Sequence, residues 1–554
     1  MSAAFSGGSV VSLILRHAET DPARVALIYP ADDGYATLTY GELARRVNAV
    51  ASGLRDQGLG AGDRVVVLVP MSPELYVVLL AAASLGAVVV FVEPTSTPRE
   101  IARVVGVARP KVFVGIPKAH VLRVLDRLVA RVPVQVLVGP PLAARVAGAL
   151  ALSQLEAAGA GAAPPSLVAR ADDPVLLTFS SGSTGTPKGA ARSHAFLAAQ
   201  HAAIERLIAR PEGAVDVHLS AFAIVLLSSL CAGQTAMIPA LGRGGVNDVD
   251  GAALADAIDA YGVTVVSGSP AFVAPIAEAR RRAGTPLATV RRVITGGAPV
   301  PLSLCELANE DLLPSGSLLV VYGSTEAEPI ATIEASQVRA HTAEFTRAGA
   351  GLCVGQTDPE ITVRLLQPTA EPLAVGPGGL AALEVPHGEV GEVTVSGDHV
   401  NRHYYRNAAA ERATKITDEH GVVWHRTGDA GYFDAHGRLW IVGRIGDMVR
   451  RGAAVYHPAA VEATAQTLSF VRRAALIQGR DGGVVLVVQP IAADNVLAVM
   501  QHLLSTRASR TDAVVTALRN AGVEIDRVEF ARTLPLDPRH RAKLDYLAIR
   551  RQYA

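Results

Sequence analysis

The chain has 554 residues, half of them hydrophobic and 18% charged, which exceeds one ordinary domain and supplies apolar side chains for large cores. Lys and Arg number 51 together, as do Asp and Glu, so the overall balance excludes a general basic field for nucleic acid or acidic lipid. Three distant cysteines, Cys231, Cys305 and Cys353, form neither a disulfide framework nor a metal-ligand spacing, which predicts a reducing, cytoplasmic location.

The first 170 residues predict strands that alternate with helices. The apolar run at 75–92 contains small residues and Gly86, which favour a buried helix and a strand over a membrane span. No secretory signal is expected at the beginning. We predict helices at 10–17, 39–57, 72–85, 98–107 and 119–130, and strands at 63–70, 87–92, 112–114 and 134–138. Residues 143–165, rich in Ala, Gly and Pro, are expected to form a surface connection.

The alternation continues after residue 190 and then changes character. We predict helices from 190 and at 252–261, 271–283 and 496–504, and strands at 174–177, 235–239, 263–267, 292–295, 317–321, 474–478 and 484–490. Residues 357–395 predict short strands and turns. The sequence therefore predicts an α/β fold: a large N-terminal domain, 1–443, of mostly parallel sheets with flanking helices and a β-rich part at about 357–443, and a small α+β domain at 444–554.

A loop rich in glycine and hydroxyl groups follows the predicted strand at 174–177. Residues 178–189 read Thr-Phe-Ser-Ser-Gly-Ser-Thr-Gly-Thr-Pro-Lys-Gly. Glycines let backbone N–H groups converge, and hydroxyls and a lysine add donors, so the loop suits a polyphosphate. Lys188 is followed by Gly189 and not by a hydroxyl residue, which disfavours a P-loop ATPase. A surface loop without function is the alternative.

Two further motifs end predicted strands. Gly296-Gly297-Ala298 follows the strand at 292–295 and could be a simple tight turn. Tyr322-Gly-Ser-Thr-Glu326 follows the strand at 317–321, at the end where open α/β sheets bind ligands. A helix start with Ser324 or Thr325 as N-cap is the alternative.

Two motifs near the end of the chain complete the set. Trp-His-Arg-Thr-Gly-Asp at 424–429 precedes a predicted hairpin turn at 434–437 and Arg444. Asp429 could accept hydrogen bonds from two ribose hydroxyls, or it could only cap a turn. Lys543 closes the stretch Pro-Leu-Asp-Pro-Arg-His-Arg-Ala-Lys at 535–543, where an isolated lysine is ordinarily solvated.

In this order, the motifs resemble those of the adenylate-forming superfamily: acyl-CoA synthetases, peptide-synthetase adenylation domains and luciferases. The resemblance implies ATP and Mg²⁺ as cofactors and a carboxylic acid as substrate, with Lys543, Lys188 and Glu326 in catalysis. Because the substrate carboxylate attacks ATP itself, no protein nucleophile is needed. The resemblance assigns Glu326 to magnesium, and it assigns nucleotide binding to Ser181, Ser183, Thr184, Gly185, Thr186, Gly296, Gly297, Ala298, Tyr322, Gly323, Ser324, Thr325, Asp429 and Arg444. It also implies a mobile C-terminal lid after a hinge near 444–447.

Several positions depart from the usual acyl-CoA synthetase pattern. Phe222-Ala223 stands where many members have Phe-His, Gly446 occupies the hinge, and residues 450–458 lack the Lys-x-x-Gly form that accompanies CoA binding. The stretches 322–330, 346–355, 424–429 and 537–543 resemble the β-lactone synthetases of bacterial olefin biosynthesis. Glu328 stands at a position where an apolar residue is expected in the β-lactone synthetases. Phe222, Ala223 and Glu328 are therefore candidate residues of the pocket for the acid.

The resemblance to β-lactone synthetases implies two steps. A β-hydroxy acid is adenylated, and its own hydroxyl then attacks the acyl carbon and releases AMP. The alternatives are an acyl-CoA or acyl/aminoacyl ligase that passes the adenylate to CoA, an amine or a carrier protein, and a non-catalytic nucleotide-binding protein. No nucleic-acid partner and no membrane span are expected.

Overall fold

The computed structural model describes residues 9–92, 96–163, 170–180, 187–242, 244–245, 248–491, 506–537 and 543–554. Its first part contains α1 (Val10–Thr20), β1 (Val25–Ala31), β2 (Gly34–Thr39), α2 (Tyr40–Asp56), β3 (Arg64–Leu68), α3 (Pro73–Ser84), β4 (Val88–Phe91), α4 (Pro98–Ala108), β5 (Val112–Gly115), α5 (Pro117–His120), α6 (Leu122–Leu125), α7 (Arg127–Ala130), β6 (Val134–Leu137), α8 (Pro141–Val146), β7 (Leu150–Ala151) and α9 (Leu152–Ala158).

The middle of the chain contains β8 (Pro174–Ser180), β9 (Lys188–Ser193), α10 (His194–Ile208), β10 (Val217–Ser220), α11 (Ala223–Cys231), β11 (Thr235–Met237), α12 (Gly251–Ala260), β12 (Val265–Gly268), α13 (Pro270–Ala283), β13 (Arg292–Gly296), α14 (Leu302–Leu307), β14 (Ser317–Ser324), β15 (Ala327–Glu334), α15 (Ala335–Gln337), a π-helical turn (Val338–Thr342) and α16 (Ala343–Arg347).

The last part contains β16 (Leu352–Thr357), β17 (Ile361–Leu366), a 3₁₀ turn (Leu380–Leu383), β18 (Gly391–Gly397), α17 (Ala408–Thr414), β19 (Lys415–Thr417), β20 (Val423–Phe433), β21 (Leu439–Arg444), a second 3₁₀ turn (Ile445–Asp447), β22 (Val449–Arg451), β23 (Ala454–Tyr456), α18 (Pro458–Ala465), β24 (Val471–Gln478), β25 (Val484–Pro490), α19 (Arg507–Asn520), β26 (Arg527–Phe530) and α20 (Tyr546–Tyr553).

Two large sheets build the N-terminal domain. The smaller has the order β7-β6-β5-β3-β4-β8-β9 and is parallel except for the β8–β9 pair. The larger has the order β17-β18-β20-β21-β16-β15-β14-β13-β12-β10-β11-β1-β2, with β19 beside β20. Its strands from β14 through β13, β12, β10 and β11 to β1 are parallel, and the β-rich segment extends the sheet with antiparallel strands. This mixed α/β architecture, with a smaller C-terminal domain, confirms the predicted fold class.

The predicted surface connection at 143–165 is wrong. Its described residues, 143–163, include the end of α8, the edge strand β7 and the helix α9. A Cβ atom on Gly53 would lie 2.7 Å from the carbonyl oxygen of Leu155, and one on Gly159 only 2.0 Å from that of Ala49. Small residues therefore allow α9 to pack tightly against α2. Composition alone does not distinguish such a packed helix from a loop, because small residues are common in both.

Other predicted elements are shifted or lie elsewhere. The helix predicted from residue 190 begins at His194, where the Ser193 hydroxyl accepts a hydrogen bond from the N–H of Phe196, because residues 188–193 form β9. The helix predicted at 119–130 is three short helices, α5, α6 and α7, with Asp126 capping the last. The helix predicted at 496–504 lies outside the described residues.

The apolar run at 75–92 does not form a single helix. The residues of α3 are buried, Gly86 adopts a positive φ of 71°, and β4 follows. Across the described ranges, every helix is too short or too polar to cross a bilayer. All three cysteines are buried and free.

The C-terminal domain has its own core. The sheet β24-β25-β26 packs against α18, α19 and α20. The buried carboxyl of Glu462 on α18 joins these parts, because its Oε1 accepts hydrogen bonds from the Leu476 N–H at 2.9 Å and from the Tyr546 hydroxyl at 2.5 Å. Burial raises the pKa of Glu462 to about 8.

The raised pKa of Glu462 predicts a pH-dependent stability. An unfolded glutamate ionises near pH 4.3, so from there to about pH 8 the native state binds more protons than the unfolded state. The free energy of unfolding should therefore fall as the pH rises through this window. In thermal unfolding of the full chain, Glu462→Gln should reduce the dependence of the unfolding free energy on pH. Asp512→Asn, at an exposed position of α19, should leave this dependence unchanged. Equal slopes in both variants would contradict the assignment.

Candidate active site

Three residues from two sequence motifs meet on neighbouring strands: Tyr322 near the end of β14, Asp429 within β20 and Arg444 at the end of β21. Asp429 and Arg444 are direct partners in the β20–β21 register, and Asp429 Oδ1 lies 2.8 Å from Arg444 Nε. The Tyr322 hydroxyl donates to Asp429 Oδ2 at 2.7 Å. Burial and the adjacent Asp429 charge raise the pKa of Tyr322 well above its ordinary value, so its hydroxyl remains a donor. Asp429 thus does more than cap a turn.

A buried ion pair holds the backbone that presents Asp429. Arg426 Nη2 and Glu392 Oε2 are 2.6 Å apart, and both side chains are 4% exposed. The other Glu392 oxygen accepts from the N–H of Gly428, which has a positive φ of 75°. The Thr427 hydroxyl accepts from the Asp429 N–H at 3.1 Å. The motif at 424–429 is therefore a rigid support as well as a source of a carboxylate.

The Gly296-Gly297 turn lies beside the same strands. A Cβ atom on Gly296 would stand 2.4 Å from the carbonyl oxygen of Val321, so only glycine fits next to β14. Gly297 has a positive φ of 76°, and the Phe222 ring lies 3.7 Å from its virtual Cβ. Phe222, which precedes α11, therefore faces this turn, and Ala223 is the first residue of α11.

The segment 322–334 is a β-hairpin and not a helix start. Ser324 pairs with Ala327, and β15 continues antiparallel to β14. The alternating burial of residues 327–334 and their pairing with β16 on the other side favour a strand. Arg192, only 4% exposed, donates from Nη2 to the Thr325 carbonyl at 2.9 Å and fixes the turn. The buried Ser324 Oγ has no hydrogen-bond partner among the described residues, which leaves it available to a ligand.

Glu326, at the tip of this hairpin, lies in a cluster that the sequence did not reveal. Its Oε1 accepts from the Tyr404 hydroxyl at 2.8 Å, and its carbonyl accepts from the Asn401 N–H at 2.6 Å. Lys415 donates to the Asn401 carbonyl and stands 5.0 Å from the centre of the Tyr404 ring. Burial would raise the pKa of Glu326, but the Tyr404 hydroxyl and Lys415 hold it below its ordinary value, so the carboxylate is charged.

Lys415 lies beside this carboxylate, and Lys188 lies close enough to Lys415 for the two charges to interact. Burial lowers the pKa of Lys415 to about 7, Glu326 and Glu411 oppose the shift, and the charge of Lys188 adds to it. Lys188 is the first residue of β9, a strand position, although the sequence analysis placed it in the glycine-rich loop. Burial and Lys415 also lower the pKa of His425 to about 3, so the imidazole is neutral.

The segment at 401–407 packs directly on β9. The Tyr405 N–H donates to the Gly189 carbonyl at 2.8 Å, Asn401 Nδ2 to the Ala191 carbonyl at 2.8 Å, and Asn407 Nδ2 to the Pro187 carbonyl at 3.3 Å. These contacts place Lys415 and Tyr404 beside the strand that carries Lys188. Ser181, Ser183, Thr184, Gly185 and Thr186 lie outside the described residues.

Glu328 connects the hairpin to the C-terminal domain. Burial raises the pKa of its carboxyl, and the charges of Arg192 and Lys543 counteract the shift. Lys543 therefore lies near enough to Glu328, two residues after Glu326, for its charge to act on this carboxyl, although it lies more than 200 residues away in sequence. Two predicted site residues from different domains are brought together.

Sequence reasoning overlooked Lys415, Tyr404, Asn401 and His425. For Lys415 a signal was present: the chain contains only five lysines, at 111, 118, 188, 415 and 543, against 46 arginines. Three of the five belong to this site. Lysine carries a compact ammonium group where arginine carries a planar guanidinium, so rare lysines in an arginine-rich chain are candidates for sites that use a point charge.

The carboxylate of Glu326 suits a magnesium ion. Mg²⁺ prefers one or two carboxylates completed by phosphate oxygens and water. Glu326 is ionised, and the described residues contain no group of three or more His, Cys, Asp or Glu side chains that could hold a metal without a ligand. The donor set therefore fits an ion that arrives with a nucleotide.

The family model for AMP-binding enzymes matches residues 14–405. The chain belongs to the AMP-binding enzyme family. This membership confirms the predicted adenylate-forming superfamily and an AMP-forming ligase or synthetase, and it excludes a P-loop ATPase as the parent family.

Relatives of this AMP-binding enzyme cover nearly its whole length. It is 34% identical over 515 residues to an olefin β-lactone synthetase from Stenotrophomonas maltophilia, covering 92% of this chain and 90% of that protein. It is 33% identical over 557 residues to one from Xanthomonas campestris pv. campestris, covering 97% and 96%. A feruloyl-CoA synthase from Amycolatopsis is 32% identical over 462 residues, covering 81% of each.

Solved structures agree on the fold. The amide bond synthetase McbA from Marinactinospora thermotolerans aligns with a TM-score of 0.77 at 23% identity, covering 98% of this chain and all of that one. The anthranilate CoA ligase AuaEII, solved with anthranoyl-AMP, aligns with a TM-score of 0.78 at 18% identity, covering 98% and 97%.

Proposed function

We propose that this AMP-binding enzyme converts a β-hydroxy carboxylic acid into a β-lactone with ATP. In the first step the carboxylate oxygen attacks the α-phosphorus and pyrophosphate leaves. In the second the β-hydroxyl oxygen attacks the acyl carbon, the bond from that carbon to AMP breaks, and the hydroxyl proton is released. The similarity to two olefin β-lactone synthetases over 92% and 97% of the chain carries the proposal.

The cluster of Asp429, Tyr322 and Arg444 is the proposed nucleoside end of the site. Asp429 has two oxygens within reach of two hydroxyls, which is the requirement for a ribose. Arg444 is half-exposed and can turn from Asp429 to a phosphate when a nucleotide binds. Gly296 and Gly323 allow close backbone packing at β14. The backbone of Gly296, Gly297, Ala298 and Gly323 is proposed to lie against an adenine, and Tyr322 is proposed to stack on it.

The cluster around Glu326 is the proposed polyphosphate end. Lys188 from β9 and Lys415 from β19 supply two ammonium groups, and Thr325 and Ser324 supply hydroxyls. We propose Lys415 as a second phosphate-binding lysine, because its contacts with Asn401 and Tyr404 hold it beside Glu326. When bound, Mg²⁺ would be held by Glu326 and would neutralise charge that develops on the phosphates.

Lys543 is the proposed catalytic cation. It faces Glu328 next to Thr325, where negative charge develops on the α-phosphate and the acid. The second 3₁₀ turn, at 445–447, separates the last strand of the large sheet from the C-terminal elements, and we propose it as the hinge and as the boundary between domains 1–443 and 444–554. The free, buried cysteines support a cytoplasmic location.

Transfer of the adenylate to a thiol or amine is the second candidate. The feruloyl-CoA synthase similarity favours it, whereas the absence of the usual Lys-x-x-Gly form at 450–458 does not. Purified enzyme should be incubated with ATP, Mg²⁺ and a panel of β-hydroxy, fatty and amino acids, with and without CoA, and the products followed by mass spectrometry. A product lighter than its acid by one water, formed with AMP and without CoA, is expected. A thioester formed only with CoA would replace the lactone proposal.

Asp429→Ala should weaken nucleotide binding. The ribose loses its charged acceptor, and hydrogen bonds to charged groups contribute about 1.5–3 kcal/mol, so Kd should rise roughly 10- to 150-fold. ATP and AMP should be affected equally, because both carry the ribose; calorimetric titration measures both. Asp398→Ala, which removes an 83% exposed carboxylate, is the control. An unchanged Kd for ATP would remove Asp429 from the site.

A further inference from the structure

Exposed apolar side chains are concentrated on one small part of the surface. The described residues expose eleven large hydrophobic side chains, and six of them lie between residues 121 and 146. Three protrude strongly: Val124 is 88% exposed, Val146 83% and Leu142 72%. The six are Val121, Val124, Leu125, Leu128, Leu142 and Val146. Contiguous exposed apolar side chains on a soluble domain mark an interaction site.

These side chains belong to one helical layer. The inner residues of α4, α5, α6 and α7 share a single hydrophobic core with one face of the smaller sheet. Gln135 of β6 donates to the carbonyls of Val129 and Val132 beneath α7, and Arg123 Nη1 donates to the Ala147 carbonyl at 2.6 Å, which ties α6 to the end of α8. The six apolar side chains therefore point away from the sheet. We call this outer surface of α5–α8 the α5–α8 face.

The placement of these residues agrees with this arrangement. Val124 and Leu125 lie on α6, Leu128 on α7 and Val121 between α5 and α6, while Ala119, Leu122 and Val129 fill the core beneath. α5–α7 thus have apolar residues on both sides. The inner apolar residues pack against the smaller sheet, but this packing does not account for the apolar residues on the outer side.

The same surface is strongly basic in a chain with no net charge. Between residues 117 and 147 there are five Lys and Arg side chains and one carboxylate. This carboxylate, Asp126, caps α7. The exposed cations Lys118, Arg127, Arg131 and Arg145 lie on the same helices or loops as the apolar side chains. Because basic and acidic residues are equal in number over the whole chain, its net charge does not show this local excess of positive charge.

We infer that the α5–α8 face docks on the surface of an anionic lipid bilayer. Aliphatic side chains that protrude can enter the boundary of the acyl region, while the surrounding Lys and Arg side chains reach lipid phosphates. All six apolar residues are Val or Leu, and none is an aromatic residue or a methionine, the apolar types in which protein-binding surfaces are enriched. The binding is peripheral, because no helix among the described residues can span a bilayer.

Sedimentation with vesicles tests this inference directly. The full-length protein should bind vesicles of mixed phosphatidylglycerol and phosphatidylcholine at low salt, bind phosphatidylcholine vesicles much less, and dissociate at high salt. The Arg127→Glu/Arg131→Glu variant should lose at least about 25-fold in partition, since each basic residue near such a surface contributes roughly fivefold. The Val124→Asp/Leu125→Asp variant should lose at least about tenfold.

Matched variants elsewhere on the surface separate this effect from general changes. Val215→Asp/Val422→Asp and Arg282→Glu/Arg551→Glu alter exposed residues of the same types and should keep wild-type partition. All variants should keep the wild-type Kd for ATP, because none belongs to the active site. The inference would be overturned if the protein did not bind the anionic vesicles, if it bound neutral vesicles equally well, or if the control variants lost as much binding. An acidic protein would then be the candidate partner of this face.

Discussion

The Lys543→Ala variant is expected to form acyl-adenylate about 10²–10³-fold more slowly, while its Kd for ATP changes little. Lys543 enters the site from the C-terminal domain and faces Glu328, next to the hairpin tip with Thr325 and Glu326. A positive charge aimed where negative charge develops acts mainly on the transition state, so it changes the rate far more than ground-state binding. Exchange of labelled pyrophosphate into ATP measures the adenylation step, and calorimetry measures Kd.

Arg551→Ala is the matched control for Lys543→Ala, because it removes an exposed cation from the helix that follows. It should keep the wild-type exchange rate. If Lys543→Ala weakened ATP binding as much as it slowed exchange, the lysine would be a binding residue and not a catalytic one.

The Lys415→Met variant is expected to weaken binding of ATP and of pyrophosphate roughly 10- to 150-fold and to leave AMP binding unchanged. Methionine keeps the long apolar stem beside the Tyr404 ring but removes the ammonium group that faces Glu326 and Lys188. AMP lacks the β- and γ-phosphates, so it should not sense the loss. Titration calorimetry with the three ligands measures this contrast without requiring the unknown acid.

Lys118→Met provides the comparison for Lys415→Met, because it removes an exposed lysine far from the Glu326 cluster in sequence and outside its contacts. All three ligands should bind it as they bind the wild type. Equal losses for AMP and ATP in Lys415→Met would show that Lys415 supports the fold of residues 401–415 and does not contact the outer phosphates.

The sequence predicted most of the architecture because its elements are locally consistent. Val-rich strands such as β3 and β5 are flanked by helices with clear caps, as at Thr39 and Thr97, and hydrophobic period and capping act over a few residues. The start of α10 was misplaced and the helix α9 was missed because the sequence is not locally decisive in these two places. Small residues there are compatible with a loop, a strand or a helix, and only the partner that they pack against decides.

The amino-acid sequence by itself determined the family and the order of the motifs along the chain. Each motif combines glycines, hydroxyls or charged groups at short, fixed spacings, and such local patterns can be recognised without a structure. The tertiary structure decided what those residues touch. It joined Tyr322 to Asp429, brought Lys543 to Glu328 across the domain boundary, and placed Lys415 beside Lys188 although 227 residues separate them. It also gathered six apolar and several basic side chains on one outer face. Proximity in space depends on sheet order and helix packing, which no local pattern encodes.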